Sequence, residues 1–125
     1  MLKVTVGFVP RDRFCESAGC LRQLFECTQI PFELILVDCK TPEVYWEQIE
    51  SVVQGQQHVR VIRTDQYLSL NQSRNLVMRE NSSDFLCIIE NDVWVHEGWL
   101  EALLAACDEY PADVAAPLIL GACRE

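Results

Sequence analysis

The sequence predicts an α/β fold in three layers, with a mostly parallel β-sheet between two layers of helices. Apolar, strand-like runs and amphipathic helical patterns alternate along the whole chain. Helices of about ten residues between strands indicate parallel pairing through right-handed crossovers, with helices on both faces of the sheet. Residues 33–38 (ELILVD) are apolar between their ends, as expected of a strand covered on both faces. Because no repeat or linker interrupts this pattern, we expect one domain over residues 1–125.

The first strand and the first helix are separated by a loop that begins at Pro10. Residues 3–9 are a Val-rich apolar run that stops at this proline, which predicts a strand. Ser17 is a suitable N-cap for the helix that follows, and Pro31 ends that helix.

A second helix and a third strand follow the strand at residues 33–38. Thr41 and Pro42 provide a cap and a first-turn proline, and Gly55 ends the helix. Residues 59–63 then have the composition of a third strand.

The third helix is predicted from a capping box. Ser69 and Gln72 have the S-x-x-Q spacing of this motif, and the helix continues to about Glu80. Residues 85–90 (FLCIIE) form the most apolar strand and are therefore predicted to be the most central.

The last part of the chain contains a helical pattern over residues 98–110 and a strand pattern over residues 114–120. We expect the second of these to be a fifth strand. Pro117 confines it to a sheet edge or a bulge, because proline has no N–H to donate to a neighbouring strand.

The chain is acidic, with 10 Lys and Arg against 19 Asp and Glu and a formal net charge of −9. This balance argues against a nucleic-acid scaffold, which needs clustered Lys and Arg for phosphate contacts. Residues 80–125 hold ten acidic residues and one basic residue, so the excess charge lies there. The excess is either a solvated helix face or in part the surroundings of a cation site.

The cysteines indicate a reducing compartment. Their number is odd, seven, and no two of them form a C-x-x-C pair. No signal peptide and no apolar run of roughly 18 residues is present in the sequence, so we expect a cytoplasmic location without a transmembrane segment. A thiol-based enzyme is a weaker alternative, with Cys15 and Cys39 as its only candidates.

Polar residues follow the predicted strands at the point where each strand ends. In parallel sheets the carboxyl ends of the strands share one edge, and ligands bind beyond that edge. The candidates after the first, second and fourth strands are Pro10, Arg11, Asp12, Arg13, Asp38, Glu90, Asn91 and Asp92. Arg74 and Asn75 add a polar face on the third helix, which is either a ligand wall or a solvated face.

Glu90 and Asp92 could together hold a divalent cation. Two carboxylates supply the hard oxygen ligands that Mg²⁺ or Mn²⁺ shares with substrate phosphates. The alternative is that Glu90 ends the strand in solvent while Asp92 turns the chain. Trp94 and Trp99 flank this cluster and could stack on a sugar ring, with core packing as the alternative for Trp99.

The loop after the first strand could bind phosphates. Arg11 and Arg13 supply positive charge, and Asp12 could orient one of them or bind a base or sugar hydroxyl. The alternative is an exposed charged turn. Asp38 could accept hydrogen bonds from a nucleobase or ribose, or it could cap a helix or form a salt bridge.

Four segments taken together resemble the nucleotide-binding half of inverting family-two glycosyltransferases. They span about residues 3–120 and read VTVGFVPRDRF, LILVDCK, NQSRNLV and FLCIIENDVWVHEGWL. The resemblance implies a Rossmann-like nucleotide-diphospho-sugar transferase fold, known as GT-A. It also implies that residues 10–13 and Asp38 border the nucleoside of a sugar-nucleotide donor. Arg74 and Asn75 match the family's Arg-Asn pair near that donor.

The same resemblance places Glu90-Asn91-Asp92 on the family's D-x-D motif. The last Asp of that motif binds the metal that bridges the diphosphate, which implies Mn²⁺ or Mg²⁺ as cofactor. Glu90 stands where Asp is usual, and Cys39 stands where a second acid is common. Family members continue beyond this region into the part that supplies the general base and the acceptor site. We therefore expect a truncated GT-A domain.

The leading hypothesis is a metal-dependent glycosyltransferase domain of hexosyltransferase type that binds a nucleotide-sugar donor and is incomplete for catalysis on its own. The alternative is a non-catalytic nucleotide-binding or protein-interaction domain on the same fold. A cysteine-based redox protein is a third and weaker hypothesis. An exposed sheet edge beside the fifth strand could also support a homo-oligomer.

Overall fold

The computed structural model describes residues 3–120. It contains one four-stranded sheet, in which the order across the sheet is β3-β2-β1-β4 and every pairing is parallel. The strands are β1 (Val4–Val9), β2 (Glu33–Cys39), β3 (Val59–Thr64) and β4 (Phe85–Glu90). The predicted α/β fold with a parallel sheet is therefore confirmed.

Four helices of 11 residues each alternate with the strands. They are α1 (Ser17–Cys27), α2 (Glu43–Val53), α3 (Leu70–Glu80) and α4 (Trp99–Glu109). A short 3₁₀ turn, Phe14–Glu16, leads into α1. Within residues 3–120, no helix combines the length and apolar character needed to cross a membrane.

Helices cover both faces of the sheet, which gives the three predicted layers. Side chains of a strand alternate between faces, so neighbouring residues of β2 enter different cores. Leu36 belongs to a core shared with α1 and α2, which contribute Leu24 and Trp46. Ile35 belongs to a second core, in which it packs with Val77 of α3.

Two strand predictions are wrong within the described residues. The strand at residues 85–90 was expected at the centre of the sheet, but β4 pairs with β1 alone and lies at an edge. Residues 114–120 were expected to form a fifth strand, but they have no strand structure. Pro117 cannot donate a ladder hydrogen bond, and Val114 and Leu118 are exposed to solvent instead of packed on a neighbour.

The predicted capping box begins α3. The Gln72 N–H donates to Ser69 Oγ at 3.1 Å, and the Ser69 N–H donates to Gln72 Oε1 at 2.8 Å. These reciprocal bonds satisfy two of the N–H groups left free at a helix start. They fix the register of α3, so that Arg74 lies in its second turn beside the end of β4.

Gly7 allows α3 to approach β1 closely. A Cβ atom at this position would overlap Cγ1 of Val77, a fully buried residue of α3. Any side chain at position 7 would therefore push the helix away from the sheet or force Val77 out of its rotamer.

We expect Gly7→Ala to lower the free energy of unfolding by about 1–3 kcal/mol, the usual cost of overpacking a core. Urea unfolding measures this change. Val77→Ala removes the overlapping methyl groups, so the double variant should lose less stability than the sum of the two single variants. Additive losses would contradict the proposed contact.

Candidate functional site

The carboxyl ends of β1 and β4 lie side by side and bring two polar segments together. Val9 is the register partner of Glu90, the last residue of β4. Residues 10–13 therefore follow β1 directly beside residues 90–92, where β4 ends. Arg74 of α3 reaches the same place from the other side of Glu90. We call this region the carboxyl edge, and it consists of residues 10–13, residues 90–92 and Arg74.

Asn91 joins the loop to the sheet. Its exposed fraction is 1%, and its own N–H donates to the Val9 carbonyl at 3.1 Å. Its Oδ1 accepts from the Arg11 N–H at 3.0 Å. Its Nδ2 donates to the Asp12 carbonyl at 2.7 Å and to Ser17 Oγ at 3.0 Å. Asn91 was predicted to contact the sugar-nucleotide. In the structure its side chain lies beneath the loop instead, and its amide nitrogen and oxygen are both hydrogen-bonded to protein atoms.

The hydrogen bond between Asn91 and Ser17 explains why the start of α1 differs from the prediction. Ser17 was predicted to be the N-cap, but it is the first helical residue, and its hydroxyl accepts from Asn91 instead of capping the helix.

Glu90 bridges two arginines from different parts of the chain. Its Oε2 lies 3.2 Å from Nη1 of Arg11, and its Oε1 lies 3.2 Å from Nη2 of Arg74. Nη1 of Arg74 also donates to Asn71 Oδ1 at 3.4 Å. The hydrogen bond and the charge of Glu90, followed by the charges of Asp12 and Asp92, raise the pKa of the Arg11 guanidinium. Both oxygens of Glu90 are therefore engaged by protein cations.

Asp92 is in a different environment. Its side chain is partly buried, and within residues 3–120 its carboxylate forms no hydrogen bond or ion pair. In that same part of the chain, no group of three His, Cys, Asp or Glu side chains is placed to hold a metal ion. One free carboxylate fits a cation such as Mg²⁺, which binds to one or two carboxylates and takes its other ligands from water and substrate phosphates.

Asp38 forms a second polar pair, and Arg63 is the partner that the sequence did not reveal. Oδ2 of Asp38 accepts from Arg63 Nε at 2.9 Å, and Oδ1 accepts from the Thr41 N–H at 3.0 Å. The Arg63 guanidinium lies 4.6 Å from the ring centroid of Trp46. Asp38 has an exposed fraction of 3% and forms the salt bridge of the alternative interpretation. It does not cap α2, which begins at Glu43, because its bond to the Thr41 N–H lies before the helix.

Pro10, Arg13 and Asn75 form no hydrogen bond or ion pair with Glu90 within residues 3–120. Pro10 is buried, whereas Arg13 is exposed, has a left-handed backbone (φ 51°) and pairs with Glu16 at 3.5 Å. Asn75 is exposed on α3 and borders an open depression of about 560 Å³, which is also lined by Thr64 of β3, by Leu68 and by other residues of α3. The structure therefore brings Arg74 to the carboxyl edge without its neighbour Asn75.

The two tryptophans after Asp92 differ in exposure. Trp94 is half-exposed, and its ring occupies space that a Cβ atom at Gly19 of α1 would enter, with 2.8 Å to Cη2. Trp99 packs against the first core, and its Nε1 donates to Thr28 Oγ1 at 2.8 Å. Trp99 thus follows the core-packing alternative, and Trp94 keeps an open face.

Two of the thiols within residues 3–120 are held in an unreactive form. The six cysteines within residues 3–120 are all free. Burial, followed by the charges of Glu16 and Asp92, raises the pKa of Cys20 to about 12, and burial raises the pKa of Cys87 to about 11. Cys39 is buried and Cys15 is exposed. Since the thiolate is the nucleophilic form, Cys20 and Cys87 are held in the inert form at neutral pH.

Comparison with known families and structures agrees with this architecture. The sequence model of Glycosyl transferase family 2 matches residues 18–125. The chain belongs to glycosyl transferase family 2. No curated protein matches this family-2 chain.

Solved structures of S. aureus TarS share the fold of this family-2 chain. The crystal structures of S. aureus TarS 1-349 alone and in complex with UDP-GlcNAc are 20% and 18% identical to it, each with a TM-score of 0.72. The structure in complex with UDP is 17% identical, with a TM-score of 0.70. Each comparison covers 90% of this chain and 34%, 33% and 34% of the respective TarS chains. The family-2 chain thus spans about a third of their length, and the likeness confirms the GT-A fold.

The hydrogen bonds of Asn91 predict that its replacement lowers the stability of the fold. Asn91→Ala leaves the Arg11 N–H and the Asp12 carbonyl without their partner and should lower the free energy of unfolding by about 1–3 kcal/mol. Urea unfolding checks this change. The matched control is Asn75→Ala, an exposed asparagine on α3, which should stay within about 0.5 kcal/mol of the wild type. Equal stability of the two variants would contradict the role assigned to Asn91.

The thiol environments predict selective alkylation. With iodoacetamide at pH 8, the exposed Cys15 should be modified in the folded family-2 chain, whereas Cys20 and Cys87 should be protected. Their pKa values lie above this pH, so almost no thiolate is present, and the burial of Cys20 also excludes the reagent. Peptide mass spectrometry gives the modification at each site, and a urea-denatured sample is the control in which all three should react. Modification of Cys20 as fast as that of Cys15 would contradict the expectation.

Proposed function

We propose that this family-2 chain binds the donor of a glycosyltransferase, a nucleotide-diphospho-sugar, at the carboxyl edge. One observation carries the proposal. The guanidiniums of Arg11 and Arg74 come from different elements and converge on Glu90, next to the free carboxylate of Asp92. Arginine forms strong, directional hydrogen bonds to phosphate oxygens. Two arginines and one available carboxylate suit a diphosphate that is bound together with a divalent cation.

The negative net charge of the chain means that an anionic ligand needs local positive charge at its binding site. A chain of net charge −9 repels an anionic ligand unless the field is reversed at the binding site. Arg11 and Arg74 contribute two positive charges, and the charges of Glu90 and Asp92 offset both of them. A Mn²⁺ or Mg²⁺ ion held by Asp92 would add two more charges. Such an ion would stabilise the negative charge on the diphosphate leaving group during sugar transfer.

The TarS structures support uridine nucleotides as the first ligands to test, because two of them contain UDP-GlcNAc or UDP. This chain spans about a third of their length, so we propose donor binding as its share of the reaction and not the complete transfer. The cytoplasmic location and the homo-oligomer through a sheet edge stay predictions from the sequence. The alternative function is a non-catalytic nucleotide-binding or protein-interaction domain.

We expect UDP and UDP-sugars to stabilise the chain in the presence of Mn²⁺. A ligand at a hundredfold excess over its Kd adds about 2.7 kcal/mol to the free energy of unfolding. Thermal unfolding with UDP, GDP and dTDP, each with and without Mn²⁺, measures the shift. Absence of a shift with every nucleotide would contradict the proposal and favour the protein-interaction alternative.

Two matched pairs of variants test which residues contribute to UDP affinity and to its dependence on Mn²⁺. Arg74→Ala should weaken UDP binding about tenfold or more, the size expected for a charge-assisted hydrogen bond. Arg79→Ala, an exposed arginine at the end of the same helix, should leave the UDP affinity unchanged. Asp92→Asn should remove the effect of Mn²⁺ on the UDP affinity, whereas Asp108→Asn on α4 should retain it. Isothermal titration calorimetry gives the four affinities. An Arg74→Ala variant with wild-type affinity would refute the assigned diphosphate contact.

A further inference from the structure

The contacts of Glu90 differ from those expected of a metal ligand. From the sequence, Glu90 and Asp92 were expected to share one cation. In the structure each oxygen of Glu90 lies 3.2 Å from a guanidinium nitrogen, one of Arg11 and one of Arg74. A metal ion on the remaining lone pair of either oxygen would lie beside a guanidinium cation that repels it, whereas Asp92 forms no ion pair within residues 3–120.

The ion pairs of Glu90 with Arg11 and Arg74, here called the bridge, connect the loop after β1 with α3. These two elements have no other polar contact with each other within residues 3–120. Arg11 belongs to the loop after β1, and Arg74 belongs to α3, and both are bonded to Glu90 at the end of β4. A carboxylate between two guanidiniums holds them at a separation that suits one anion with two oxygens. The side-chain exposed fractions are 58% for Arg11, 37% for Arg74 and 21% for Glu90, so the arginines remain accessible from solvent.

The bridge also sets the charge that a ligand meets. A phosphate oxygen would bind the same guanidinium groups that Glu90 occupies, so the carboxylate and the phosphate compete for hydrogen-bond donors. The negative charge of Glu90 also repels the phosphate directly. Both effects weaken the binding of a diphosphate that arrives without a cation.

We propose that Glu90 is a positioning residue for Arg11 and Arg74 and not a ligand of the divalent cation. It fixes the two arginines at the carboxyl edge and lowers their affinity for a metal-free diphosphate, while Asp92 alone supplies the protein carboxylate for the cation. This inference rests on the proposed donor-binding function. It assigns different tasks to the two acids of the Glu90-Asn91-Asp92 triplet.

The test compares Glu90→Gln with Asp92→Asn, and the probes are UDP and Mn²⁺. Calorimetry gives the UDP affinity of each variant without metal, and electron paramagnetic resonance gives the Mn²⁺ affinity of the UDP complex. Glu90→Gln should bind metal-free UDP about two- to fivefold more tightly than the wild type, the size of effect of one partly exposed charge. Its Mn²⁺ affinity should stay within about twofold of the wild type, whereas Asp92→Asn should lose Mn²⁺ binding.

Two further variants separate this effect from a general change of charge or fold. Glu80→Gln removes an acid that pairs with Arg60, away from the carboxyl edge, and should leave the metal-free UDP affinity unchanged. Glu90→Asp keeps the charge but is one methylene shorter and cannot reach both arginines. It should give a smaller gain in metal-free affinity than Glu90→Gln, with Mn²⁺ binding retained, and it provides the comparison if Glu90→Gln does not fold.

Two results would overturn the inference alone. One is a Glu90→Gln variant that loses Mn²⁺ binding as Asp92→Asn does, and the other is a Glu90→Gln variant without a gain in metal-free UDP affinity. A wild-type chain that binds no UDP under any condition would overturn the proposed function as well. The two failures are therefore distinguished by the behaviour of the wild type.

Discussion

The arrangement of the carboxyl edge depends on one buried amide. Asn91 pairs with groups 74 to 80 residues earlier in the chain, and these pairs tie the loop after β1 to the end of β4 and to the start of α1. An amide has both donors and an acceptor, so it fixes direction as well as distance, and a buried amide with paired groups has few alternative positions. The backbone of Arg11 is held in this way, and its side chain can therefore reach Glu90. The parallel pairing of β1 with β4 supplies the framework, and Asn91 converts it into a defined loop.

Much of the fold could be predicted because it depends on local rules. The capping box at Ser69 indicates where a helix begins, and the apolar run of β2 indicates that the strand is buried. Both are properties of a short segment. The position of β4 in the sheet could not be predicted in the same way. Its apolar sequence indicates that side chains are covered, but it does not specify which strands are neighbours. Residues 114–120 show the same limit, because a strand requires a hydrogen-bonding partner, and their apolar composition does not provide one within the described residues.

The sequence predicted which segments lie together better than it predicted the contacts of their side chains. The rule that ligands bind beyond the carboxyl ends of parallel strands selected segments that the structure brings together, because β1 and β4 end side by side. Roles depend on which side chains meet across the sheet. Arg63 pairs with Asp38 because the two are register partners in adjacent strands, and that register is visible only in the structure. Asn91 was selected with its neighbours in the triplet, but it is buried, and its hydrogen bonds to the backbone of Arg11 and Asp12 hold the loop from below.

The two acids of the triplet show how neighbouring carboxylates acquire different chemistry. Glu90 and Asp92 are two residues apart, but β4 ends between them, so the chain direction changes and their side chains meet different surroundings. Glu90 is surrounded by arginines from the loop and from α3, and its charge is compensated inside the protein. Asp92 lies beyond the last strand residue without a protein cation at salt-bridge distance among residues 3–120, and a cation from solution could compensate its charge. Since the chain carries a net charge of −9, an anionic ligand binds only where such compensation leaves positive charge uncovered. In the proposed donor site that condition is met where Arg11 and Arg74 converge, once a cation compensates Asp92. The acid between the two arginines would then control the donor affinity more directly than the total charge does.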